Sequence, residues 1–150
     1  MVDLDDSPVP ETPHERGGFS VPSLVLAPAV LRIVISGKDI DTELDALVKA
    51  VAILQGSDGF MRTFVYEMAA TLAQEVAETG TKGLAEAAKA GLSPDEAAMA
   101  LQIALVAVFS SPLGEDGDIG ILSAIAERIG VPEAEFSEIY DSTRRVVAQR

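Results

Sequence analysis

Cysteine and tryptophan are absent from this chain, and histidine occurs once, as His14 among prolines near the N-terminus. Without a thiol there is no disulfide, thiolate zinc site, iron–sulfur cluster or cysteine nucleophile. A single histidine excludes the paired Glu-x-x-His motifs of a di-iron bundle and argues against a Ser-His-Asp triad. Cations are scarce too. Eleven Lys and Arg stand against 24 Asp and Glu, a net charge of −13. Nucleic-acid binding rests on neutralising phosphates, so DNA and RNA are excluded as partners, and an anionic membrane surface is disfavoured. A divalent cation or a basic protein suits such a surface. There is no glycine-rich phosphate loop, no GxSxG and no Walker lysine, and with them go the chemistries those motifs carry. The expectation is that the protein is not an enzyme.

A membrane-length apolar run is also missing. The longest uncharged stretch, Ala97 to Gly114, is apolar only as far as Phe109, short of the ~20 residues a span requires. Val21 to Ile35 is interrupted by Pro22, Pro28 and Arg32. The N-terminus is acidic where a secretion signal starts basic. These features lead us to expect a soluble, cytoplasmic protein with no transmembrane segment.

What the chain does contain is helical periodicity. Residues 1–18 are acidic and proline-rich and end in Gly17-Gly18, which reads as a disordered tail ahead of a single domain over residues 19–150. Pro28 is placed to open a helix ending at Ser36 with Gly37 as its stop, a strand being the alternative. Asp41 then caps a helix with the stripe Leu44, Leu47, Val48, Val51 and Leu54. After a turn at Asp58-Gly59 comes a long helix to Thr79, with Phe64, Met68, Leu72 and Val76 stacked every four residues. A short alanine-rich helix ends at Gly91. Ser93, Pro94 and Glu96 carry a capping-box signature ahead of a helix apolar nearly all round, which belongs at the centre of the fold. Two further helices follow, over 118–129 and 132–150. The last turns Phe136, Ile139, Tyr140, Thr143 and Val147 inward, with Arg144 and Arg145 at its dipole-favoured end. The sum is an all-α single-domain bundle of six to seven helices.

Acidic residues gather at two helix starts, in Gly37-Lys38-Asp39-Ile40-Asp41-Thr42-Glu43 and in Glu115-Asp116-Gly117-Asp118. Carboxylates beside a flexible glycine are what Ca²⁺ or Mg²⁺ requires, so Asp39, Asp41, Glu43, Asp116 and Asp118 are the candidate metal ligands. Neither glycine fits an EF-hand loop. With Gly117 in the sixth place, Pro112 comes first and Ser123 last; with Gly59 there, Leu54 and Val65 take the ends. Helix capping uses the same residue types and is the reading the pattern favours.

At these residues the chain resembles the TerB-like family, the small helical proteins of tellurite-resistance and related stress systems. VLRIVISGKDIDTELDALVKA is similar to one helix–loop–helix half. Ile40 stands at the apolar position, Asp41 at the cap and Glu43 at the glutamate, while the Asp-Gly step is replaced by Ser36-Gly37-Lys38. ALQIALVAVFSSPLGEDGDIGILSAIAERIGVPEAEF resembles the other half, with Ser111-Pro112-Leu113 where Asp-Gly is expected. The resemblance spans roughly residues 22 to 138. It implies a non-enzymatic stress-response scaffold that binds a divalent cation through carboxylates at helix starts and works near the inner membrane face. Two other readings stand beside it. One is a metal-free interaction module for a basic or helical partner, or a homodimer. The other is a peripheral subunit of a membrane-associated assembly that docks through residues 19–36.

Overall fold

A computed structural model describes residues 15–16, 19–55 and 59–149. It is an all-α bundle of seven helices: α1 (Val21–Ser36), α2 (Ile40–Gln55), α3 (Gly59–Thr79), α4 (Lys82–Gly91), α5 (Pro94–Ser110), α6 (Asp116–Arg128) and α7 (Glu133–Ala148). Two two-residue strands precede them, β1 (Glu15–Arg16) and β2 (Phe19–Ser20), paired antiparallel. Glu15 and Arg16 of the expected tail are thus paired with the start of the domain; residues 1–14 and 17–18 lie outside the described ones, as does Asp58 of the expected turn.

The two most apolar helices, α1 and α5, pack against each other, and the remaining helices close around them. Helix α2 lies on α5 and α3; α3 and α4 lie on α1; α6 lies on both central helices; α7 lies on α5. In α5 every residue from Ile103 to Val108 is buried, as its unbroken apolar pattern requires. The capping box is present: Glu96 N donates to Ser93 Oγ at 3.1 Å, and Ser93 N donates to Glu96 Oε1 at 2.8 Å.

Helix α1 corrects the sequence reading. It begins at Val21 rather than Pro28, capped by Ser20 Oγ, which accepts from Ser23 N at 3.2 Å. Pro22 takes the first-turn position that suits a proline. Pro28 lies inside the helix and is buried. It forgoes one i→i−4 hydrogen bond, which burial of the run Leu26–Ile33 offsets. Leu24 and residues 26–33, the middle of the segment read as a docking element, are thus buried in the core, which leaves its two ends at the surface. Gly37 ends the helix with φ 69°, the left-handed conformation that favours glycine.

Helix α3 departs from its expected stripe at one end. Leu72 and Val76 are buried, but the core face further up is carried by Val65 and Ala69. Phe64 is 46% exposed and Met68 half-buried. On α7, Phe136 and Thr143 are buried, and Arg144 lies 5.7 Å above the Tyr140 ring, a cation–π contact.

The α5–α6 loop is fitted closely to the end of α5. A Cβ at Gly114 would collide with the Val108 carbonyl oxygen, a backbone atom with little freedom to retreat. We expect Gly114→Ala to destabilise the fold by about 1–3 kcal/mol, as overpacking does. Thermal unfolding of the two proteins checks this; an unchanged midpoint refutes the fit.

Candidate functional site

The starts of α2 and α6 stand side by side, and buried charge joins them. Arg32, the lone cation in the apolar run of α1, is 0% exposed. Its Nη1 lies 2.9 Å from Glu43 Oε1 and 3.4 Å from Asp118 Oδ1. Glu43, on the first turn of α2, is also 0% exposed, and its Oε2 accepts from Ser111 Oγ at 3.2 Å. Asp118, on the first turn of α6, is 2% exposed. Its Oδ2 accepts from Lys38 Nζ at 2.7 Å and from Glu115 N at 2.9 Å. Lys38 further binds Glu115 Oε2 at 2.8 Å and donates to the Leu113 carbonyl. Two cations of α1 and its following loop are thus shared among the carboxylates of two helix starts.

Electrostatics follow from this geometry. Burial alone would raise the Asp118 carboxyl. The Lys38 hydrogen bond, the Glu115 amide and the Arg32 charge override it and hold the group below the ordinary carboxylate value. The hydrogen bond to Asp118, then that to Glu115, holds the Lys38 ammonium above the ordinary lysine value. Satisfaction is incomplete: Arg32 Nε and Nη2 have no hydrogen-bond partner among the described residues.

Of the five candidate ligands, only Glu43 and Asp118 converge, and they converge on Arg32. Asp39 is the cap of α2, a role the sequence gives to Asp41. It accepts from Thr42 N at 3.0 Å and Thr42 Oγ1 at 2.7 Å. The hydroxyl bond first and the amide bond second hold the Asp39 carboxyl below its ordinary value. The cap sits there because α2 begins at Ile40, one residue before Asp41. Asp41 instead accepts from Tyr66 Oη at 3.0 Å and ties α2 to α3. That bond raises the Tyr66 phenol. Asp116 is exposed, on a hollow between α6 and α7 with Glu133 and Tyr140. Among the described residues no group of three or more Asp, Glu or His is placed to hold a metal ion. The oxygens of Asp118, Glu115 and Leu113 do gather around one point, and the Lys38 ammonium occupies it.

Arg32, Lys38, Ser111 and Glu115 were outside the sequence-based candidate set. The signal was Arg32 itself, a charge inside a run otherwise fit for the core, in a chain poor in cations.

A second feature lies at the far end of α1. A groove of about 320 Å³ opens between α1, α2, α3 and α5, lined by Val25, Met61, Phe64, Met68, Met99 and Ile103 among others. Met61 and Phe64 are 43% and 46% exposed. Three of the chain's four methionines meet there. Among the described residues, Gln55 is the one polar side chain on its wall, and its amide is directed at Met99 Sδ, 3.5 Å away. A small-molecule site needs several convergent polar groups to orient its ligand, which this wall lacks. Its methionines instead supply an unbranched, polarizable surface that adapts to apolar shapes. Among the described residues, no helix is long and apolar enough to cross a membrane. In comparisons with protein families, curated proteins and solved structures, the chain matched none of them.

Proposed function

We propose that this chain is a non-enzymatic, metal-independent adaptor whose methionine-lined groove receives the apolar face of a helix from a partner protein. The observation that carries this reading is the gathering of Met61, Met68 and Met99 around an exposed Phe64 on one open groove. Helices dock into such grooves through residues spaced three and four apart, and methionine surfaces repack around differing side chains. The ionic centre supports the reading from the opposite side. Glu43 and Asp118, the buried acids available for acid–base or metal chemistry, are engaged by Arg32 and Lys38. Their role is to lock the α1–α2 and α5–α6 connections, so that the helices framing the groove keep their spacing. The TerB-like resemblance implies a non-enzymatic helical scaffold too; in this reading the Lys38 ammonium, among the oxygens of Asp118, Glu115 and Leu113, serves in place of a cation at the start of α6.

Methyl spectra of protein carrying ¹³C-methyl methionine test it directly. Titration with an uncharged amphipathic helical peptide is expected to shift Met61, Met68 and Met99 saturably and leave Met1 in place. A peptide of the same composition with its apolar face scrambled is expected to shift none, and Phe64→Glu to abolish the response. Groove methyls that stay in place with the amphipathic peptide refute the reading.

A further inference from the structure

The groove does not end in neutral surface. Met99 faces it from α5 and also lines a second hollow, between α5 and α7, together with Asp95, Glu135 and Glu138. Asp95 and Glu138 are exposed and Glu135 is half-buried. None of the three forms an ion pair with another described residue. Among the described residues, neither hollow has a lysine or arginine on its wall. A continuous surface therefore passes from an apolar trough to three carboxylates across one methionine.

Resting on the groove reading, we infer that the partner helix is basic at one end, and that this end crosses Met99 to lie over Asp95, Glu135 and Glu138. Charge selects this occupant over two others. The chain's own first 14 residues hold Asp3, Asp5, Asp6 and Glu11 and no Lys or Arg, so they would bring like charge to these acids. A second copy would bring a surface of net charge −13 against one of the same sign. Like charges across an interface disfavour both, whereas a lysine- or arginine-rich terminus removes the repulsion and fixes the direction of the docked helix.

Two synthetic peptides with the same apolar face test this on the full chain, one ending in four lysines and the other in four glutamates. Affinities are read from the Met99 methyl signal. The lysine-ended peptide is expected to bind at least about tenfold tighter at low salt, the preference shrinking as salt is added, since exposed pairs are each weak and screened. The triple variant Asp95→Asn, Glu135→Gln, Glu138→Gln is expected to abolish the preference while the Met methyls still respond to both peptides. A nitroxide at the lysine end is expected to broaden Met99 before Met61. Equal binding of the two peptides overturns this inference and leaves the groove reading intact, as does a preference that survives in the triple variant. Silence of the groove methyls toward both peptides overturns the groove reading and this inference with it.

Discussion

Arg32→Met is expected to remove about 3–5 kcal/mol of stability at pH 7, the usual result of breaking a buried ion pair from one side. For a domain whose whole margin is about 5–15 kcal/mol, that is a fifth of it or more. The variant keeps the length and helix propensity of the side chain, so packing changes little. What changes is Glu43. It is 0% exposed, and without Arg32 it retains only the Ser111 hydroxyl at 3.2 Å. Asp118 fares better, because Lys38 and the Glu115 amide remain bound to it. This asymmetry gives a second, sharper expectation. Arg32→Met with Glu43→Leu should recover most of the loss, since no unpaired charge is then left inside. The incomplete bonding of Arg32, with Nε and Nη2 unpartnered among the described residues, points the same way: much of its desolvation is uncompensated. Urea unfolding of the three proteins decides the matter. A single variant within about 1 kcal/mol of the wild type, below the normal range for such a break, contradicts the buried pair. A double variant no better than the single one contradicts the account of its energetics.

The helices were legible in the sequence because their signals are local. Ser93, Pro94 and Glu96 mark the start of α5 within four residues, and Gly37 marks the end of α1 at a backbone position that favours glycine. The unbroken apolar character of α5 announced its burial. Where two local signals competed, the reading slipped. Pro22 and Pro28 both suit a first turn, and burial of residues 26–33, a tertiary fact, decides for Pro22. The ionic centre is harder to read because, apart from Arg32 with Glu43, the contacts that join its two helix starts span 68 to 86 residues of chain. Sequence showed carboxylates near helix starts, a pattern shared by caps, metal sites and ion pairs. Only the packing of α1 against α2 and α6 brings Arg32 and Lys38 to them. The groove was missed for a related reason. Phe64 and Met68 continue the spacing of Leu72 and Val76, and periodicity alone does not reveal that the first turns of α3 face an opening rather than the core.

Asp118→Asn should weaken the fold at neutral pH by about 2–3 kcal/mol, the scale of a hydrogen bond to a charged group, and the size of the loss should depend on pH. The folded state holds the Asp118 carboxyl below its ordinary value, against the tendency of burial, through Lys38, the Glu115 amide and Arg32. A group with a depressed folded pKa stabilises the fold fully above its unfolded pKa, near ~4 for aspartate, and the contribution disappears as pH falls through the folded value. Wild type and variant should therefore differ most above about pH 5 and approach one another below about pH 4, in the window that an aspartate pKa of ~4 sets. Lys38 adds an alkaline counterpart. Its folded pKa is raised, chiefly by Asp118, so its contribution is present below the ordinary lysine value and fades as pH rises through the folded one. In the variant that alkaline decline should flatten. Added salt should narrow the gap only in part: Asp118 is shielded from solvent, while the Lys38 side chain is 19% exposed. Urea midpoints for both proteins at pH 7, 5, 3.5 and 2.5 follow the convergence. A gap that stays constant down to pH 2.5 would mean that the Asp118 charge contributes nothing, and that its place at the start of α6 is that of a neutral cap.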